Sequence, residues 1–180
     1  MSTTSWTLDP AHSDVLFSIR HLGISTVRGN LPGLTGTAQF DPSDPKSLKL
    51  HVDIDAASID TNNDQRDAHI KTPDFLDVQN YPTITFQSTR VEPSGPGTGK
   101  LYGELTIKGV TKEVELTVEG PSPETTDPSG NVKIAASATT VINRKDFGIS
   151  FNHVMETGTL LLGEELKVTI DVQFIKQTSG

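Results

Sequence analysis

The chain has no cysteine. That excludes disulfides, thiolate nucleophiles and cysteine-ligated zinc or iron–sulfur centres in one step. Large rings are scarce, at 6% of residues. Basic residues are in the minority, with 15 Lys and Arg against 23 Asp and Glu, for a net charge of −8. Such a surface repels nucleic-acid phosphates and anionic headgroups, so no nucleic-acid partner is expected and electrostatic membrane docking ranks low, although a local basic spot is compatible with it. There is no run of apolar residues long enough to span a bilayer, so no stable membrane insertion is expected. The start, Met1-Ser2-Thr3-Thr4-Ser5-Trp6, lacks a basic stretch followed by an apolar one, which predicts a cytoplasmic location.

What the sequence does have is alternation with a period of two, the mark of strands with one dry and one wet face. Val15, Phe17 and Ile19 share one parity, with His21 next in line. Leu48, Leu50, Val52, Ile54 and Ala56 oppose Lys49, His51, Asp53 and Asp55. Ile84 and Phe86 alternate with threonines, and Leu101, Gly103, Leu105 and Ile107 with polar residues. Val114, Leu116 and Val118 follow, then Val132, Ile134, Ala136 and Ala138, and finally Leu166, Val168, Ile170, Val172 and Phe174. With a stretch near Leu34 to Phe40 these make eight strands, separated by turn residues such as Asp127-Pro128-Ser129-Gly130 and Lys108-Gly109. The reading is one all-β domain over residues 1–180, an antiparallel meander closing into a barrel or folding into a sandwich, with loose ends at 1–5 and 177–180.

One segment departs from the pattern. Thr61-Asn62-Asn63-Asp64 offers an N-cap at Thr61 with an acid three residues on, Gln65 to Lys71 then form about two helical turns, and Thr72-Pro73 ends them before a second short turn through Asp74-Phe75-Leu76. This predicts one or two short helices covering a barrel end, with Arg66 and Asp67 forming an ion pair that pins them.

An eight-stranded barrel is near the size at which side chains just fill the interior or leave room for one small ligand. Alanines at 136 and 138, with Ala56 and Gly103 inward by parity, leave volume that no ring fills. The same residues fit a dry, filled core if large side chains face them. The residues alone leave both open.

Motifs for chemistry are absent. None of the five histidines makes a His-x-x-x-His pair, and no serine sits in a Gly-x-Ser-x-Gly elbow, so neither a metal site nor a catalytic residue is assigned. His12 is expected to bond locally, His51 to be solvated, and Arg144 to satisfy carbonyls in a tight turn. Arg20, His21 and Arg28 stand close together in an acidic chain. An arginine fork matches phosphate or carboxylate, which makes Arg28 a candidate clamp for a polar head at the barrel mouth.

A series of motifs in one order carries a resemblance: Trp6-Thr7-Leu8-Asp9-Pro10-Ala11-His12-Ser13, Phe17-Ser18-Ile19-Arg20-His21-Leu22-Gly23, Arg66-Asp67-Ala68-His69, Tyr81-Pro82-Thr83-Ile84-Thr85-Phe86 and Asn143-Arg144-Lys145-Asp146-Phe147-Gly148. Over roughly residues 6–175 the chain resembles the YceI-like family of polyisoprenoid-binding or lipid-binding domains. The resemblance implies an extended, lipocalin-like, eight-stranded antiparallel barrel with an apolar tunnel. It implies a long apolar amphiphile as partner (a polyisoprenoid, an isoprenoid quinone or a fatty acyl derivative) and no cofactor beyond such a lipid. The residues expected to line the tunnel are Phe17, Ile19, His21, Arg28, Leu50, Val52, Ile54, Phe75, Phe86, Leu105, Ile134, Ala136, Ala138, Phe147 and Ile170. An enzyme acting on the ligand near Arg66, Asp67 or His69 is one alternative, and a filled-barrel stress or interaction module is another. Two copies pairing along an edge as a homodimer is a further expectation.

Overall fold

The computed structural model describes residues 3–41, 43–153 and 161–177. The first two staves of the barrel are each built from two strands. β1 (Thr4–Leu8) and β2 (Asp14–His21) are parted by a 3₁₀ turn at Pro10–His12, where proline has no N–H for a ladder and the Asp9 carboxylate accepts from the Ala11 amide instead. β3 (Ser25–Leu31) and β4 (Leu34–Asp41) are parted by Pro32-Gly33. Gly33 packs against Ser58, whose hydroxyl accepts its N–H at 3.1 Å. Then come β5 (Asp44–Asp55), β6 (Thr83–Gly95), β7 (Thr98–Ile107), β8 (Val110–Glu119), the two-residue β9 (Thr125–Thr126), β10 (Val132–Asn143) and β11 (Leu162–Lys176).

Neighbours pair antiparallel, in the order β3-β2-β11-β1-β4-β5-β6-β7-β8-β10. The sheet closes because β11 also runs the length of β10, from Asn143↔Glu165 to Lys133↔Ile175. Its first half pairs with β2 (Val168↔Phe17) and its end with β1 (Leu8↔Phe174). The result is a closed barrel of eight staves, as the alternation and the resemblance led one to expect. β3 has one ladder partner, β2, and on its other edge an isolated bridge from Asn30 to Asp60.

Expectations are corrected at the N-terminus and at the helix N-cap, one strand is new, and of the one or two short helices expected one forms. Thr4 and Ser5 are not a loose end: they pair with Phe40 and Gln39 of β4, and the Gln177 amide donates to the Ser5 carbonyl. The Ser25–Leu31 strand was not anticipated, because arginine, glycine and asparagine interrupt its apolar pattern. Among the described residues a single α-helix forms, α1 (Asp64–Ile70), while residues 72–76 make turns. Its N-cap is Asn63, accepting from the Arg66 amide at 2.9 Å, not Thr61. The expectation for residues 178–180 lies outside the described residues.

Candidate functional site

Inside the barrel lies a cavity of about 830 Å³. Its wall is almost wholly aliphatic and aromatic. β2 contributes Phe17, Ile19 and His21; β5 contributes Leu50, Val52 and Ile54; Phe86 and Leu105 come from β6 and β7. β10 contributes Ile134, Ala136 and Ala138, β11 contributes Ile170, and Phe75 and Phe147 come from outside the strands. Fourteen of the fifteen anticipated residues thus line the cavity. Arg28 does not. On β3 the inward positions are Val27 and Gly29, opposite Ile19 and Phe17, so Arg28, opposite Ser18, lies on the solvent face and is exposed. Period two forbids it from being a clamp inside the mouth.

The small inward residues divide into two groups. Ala136 and Ala138 do border open space. Gly103 does not: a Cβ there would collide with the Phe86 ring and sit 2.7 Å from the Gln87 carbonyl, so the ring already occupies that gap. Phe17 covers Gly29 in the same way. Ala56 lies in a 3₁₀ turn and packs into the core rather than the cavity wall.

One end of the cavity is covered by α1 and the turns after it. Ile70, Phe75 and Leu76 close over it, joined by Phe151. The His69 ring meets Phe75 edge-on at 5.0 Å and Phe151 at 5.1 Å, and its Nε2 lies 2.9 Å from Asp74 Oδ2. The anticipated Arg66–Asp67 ion pair is absent among the described residues. Both side chains meet at Thr61 instead: Arg66 Nε donates to its Oγ1 at 2.8 Å, and the buried Asp67 carboxylate accepts from its backbone N–H and its hydroxyl. Thr61 is therefore where the cover is fastened, and it carries no sequence mark beyond being a hydroxyl near a helix start.

Arg144 anchors the same end. Its Nε donates to the Gly163 carbonyl at 2.8 Å, and its Nη1 to the carbonyls of Ile149 and Phe151 at 2.9 and 2.7 Å. Burial pulls its pKa below the ordinary guanidinium value. The bonds fix the segment that carries Ile149 and Phe151 against the cavity. Both residues were missed from sequence, since they follow the η turn at Arg144–Phe147 in irregular backbone with no period to read.

The polar groups His21, Arg66, His69 and Arg144 are all found at the covered end of the cavity wall, while Lys100 lies near the opposite end. Of the other histidines, His12 is bound to Asp9 at 2.8 Å and the half-buried His51 lies between Asp53 and Gln87. Among the described residues there is no group of three or more His, Asp or Glu side chains able to hold a metal. Among the described residues no helix is long and apolar enough to cross a membrane.

Fold and site together define a closed antiparallel β-barrel with a ligand-sized apolar interior and polar groups concentrated at one lidded end. The model of the YceI-like domain matches residues 6–174, and the chain belongs to the YceI-like family. A UPF0312 protein of Staphylococcus aureus is 35% identical over 171 residues, covering 95% of this chain and 97% of that protein. Among solved structures, a Campylobacter jejuni YceI protein superposes with a TM-score of 0.74 at 31% identity, over 88% of this chain and 90% of its own. BcnA of Burkholderia cenocepacia superposes with 0.78 at 21% identity, over 92% and 98%. A polyisoprenoid binding domain from Saccharophagus degradans implicated in plant cell wall breakdown gives 0.67 at 14%, over 96% and 98%.

Proposed function

We propose that this protein binds one long apolar amphiphile inside the barrel, hydrocarbon against the strand walls and polar head toward the α1 end, as a carrier, storage or sequestration protein. The observation that carries this reading is the cavity itself. At 830 Å³ it holds on the order of 25 methylene-sized groups at liquid density. Each buried methylene stabilises the bound state by roughly 0.8 kcal/mol, so a chain of even ten carbons gives useful affinity. The similarity to a domain described as polyisoprenoid-binding supports an isoprenoid as one class of occupant. A fatty acyl chain or an isoprenoid quinone fits the same wall.

We read the protein as a binder rather than an enzyme. Asp67, which an enzymatic reading would use, is buried and committed to Thr61. Native mass spectrometry and organic extraction of the purified protein test the proposal. The expected result is one long-chain amphiphile per barrel, recovered chemically unchanged after prolonged incubation. Protein that carries no lipid, and takes up neither cis-parinaric acid nor a polyprenyl phosphate, overturns it.

A further inference from the structure

The β2–β3 hairpin joins an acid-free stretch to an exposed apolar tip. Between Asp14 and Asp41 the chain has no acidic residue, although it carries 23 elsewhere and at those bounds. The hairpin tip, Leu22-Gly23-Ile24, is apolar and exposed, Leu22 at 43% and Ile24 at 83%. Leu22 and Gly23 both have positive φ, which makes a tight protruding turn. Arg20 Nη1 donates to the Ile24 carbonyl at 2.7 Å and so braces the tip from behind. Arg28 stands exposed further back, and neither arginine has a carboxylate partner among the described residues. On the adjoining start of β11, Glu164 is engaged by Lys145 at 2.7 Å, which leaves Glu165 as the acid on that strand end.

The position of this hairpin matters as much as its composition. His21, at its base, lines the cavity, and the Leu22 amide donates to the carbonyl of Leu161, itself a cavity residue. The tip therefore stands at the lidded end, beside the cover made by α1, Phe75 and Phe151.

We propose that this hairpin is a docking element for the surface of an anionic membrane. Leu22 and Ile24 enter the boundary between headgroups and acyl chains, and Arg20 and Arg28 lie against lipid phosphates. Apolar residues at the tip with arginines set back from it match the layering of that interface, where a buried apolar contact and phosphate attraction add. Docking there presents the lidded cavity end to the bilayer, where an apolar amphiphile enters or leaves. The inference takes its purpose from the proposed binding function, but vesicle binding and cavity filling are read separately.

The test is co-flotation of the full chain with large unilamellar vesicles, either pure phosphatidylcholine or an equimolar mixture with phosphatidylglycerol. Binding is expected to the mixed vesicles at low salt, falling as salt rises. Ile24→Asp is expected to weaken it at least tenfold, and Arg28→Ala by roughly fivefold. Both sites are exposed, so circular dichroism, thermal unfolding and uptake of cis-parinaric acid stay at wild-type values. Absence of wild-type flotation with the mixed vesicles overturns the proposal, as does equal flotation of Ile24→Asp. Sedimentation showing a dimer that Ile24→Asp dissolves, without vesicle binding, makes the tip a self-association surface instead. Loss of parinaric uptake in wild type with vesicle binding intact counts against the function and leaves the docking element standing.

Discussion

Two parts of the barrel wall, β1 and β10, which flank β11, solve the same geometric problem in opposite ways. Around β1 the inward positions are filled. Trp6 is 1% exposed and lies parallel to Phe40 at 6.0 Å, with Leu8 and Ala38 beside it, and neither Trp6 nor Leu8 reaches the cavity. Around β10 the inward positions are Ala136 and Ala138, and the space in front of them stays open. The chain holds one tryptophan, and its ring sits in the filled half. Packing and capacity are thus divided between strands: β1 seats Trp6 and Leu8 in the core, and β10 leaves the volume in front of its alanines open. The question of filled or hollow, which the residues alone left open, has a different answer on each side.

The largest expected effect is on the filled side. Trp6→Ala should cost about 3–5 kcal/mol in denaturant-induced unfolding, the range for a large buried ring replaced by a methyl group. The molecules that remain folded should still take up cis-parinaric acid. A cost below about 1 kcal/mol would break the contrast, because it would mean that Trp6 borders space the barrel does not need. Gly103→Ala probes the border between the halves. Its new methyl group meets the Phe86 ring on one side and the Gln87 carbonyl on another, and the backbone cannot yield as a flexible side chain does. Roughly 1–3 kcal/mol of overpacking is expected, measured the same way.

On the hollow side the sign of the argument reverses. Ala138→Phe places a ring in open space, so its stability cost should stay below about 1 kcal/mol while ligand capacity falls steeply. Titration with cis-parinaric acid measures the second quantity. Equal uptake by variant and wild type would move the binding wall away from β10.

How much of this was legible in the sequence follows from the same physics. Period two assigns each side chain to a face, and it placed the cavity-lining strand residues from Phe17 to Ile170 correctly. It says nothing about what stands opposite. Gly103 and Ala138 look alike by parity, and only the diagonal approach of Phe86 from β6 separates a filled gap from an open one. Arg28 was drawn inward by its chemistry against its parity, and parity prevailed. The cover was legible as a helix, but its fastening was not. Thr61, Arg66 and Asp67 converge because the Asn30–Asp60 bridge brings the segment before α1 onto β3, a long-range contact with no local signature. Arg144 was readable as a residue that satisfies carbonyls, but which carbonyls depends on how residues 149–151 and Gly163 meet.

The smallest expected effect concerns the bolt between the two halves. Asp9, just after β1, receives Lys133 of β10 at 2.7 Å across the end of β11, and both side chains are largely buried. The Lys133 ammonium and then His12 hold the Asp9 carboxyl down at about 2, and Lys133 is raised above its usual value, with Asp9 as the main cause. A carboxyl whose folded pKa is depressed contributes stability that is complete above its unfolded value, near 4, and is lost as pH falls toward 2. The lysine contributes with the opposite sense: its share is present below its unfolded value and is lost as pH rises through the raised one. Lys133→Met removes the lysine's share and the largest cause of the Asp9 depression, leaving what His12 and the Ala11 amide supply. Thermal unfolding followed from about pH 5 to about pH 2 should therefore show a shallower fall in Tm for the variant, by a few degrees, over a background of other carboxylates common to both. Asp127, 3.6 Å from the same ammonium, contributes to the difference in the same direction. Parallel curves for variant and wild type would show that the ion pair does not join the filled flank to the hollow one, and that the β10–β11 ladder alone holds the barrel shut there.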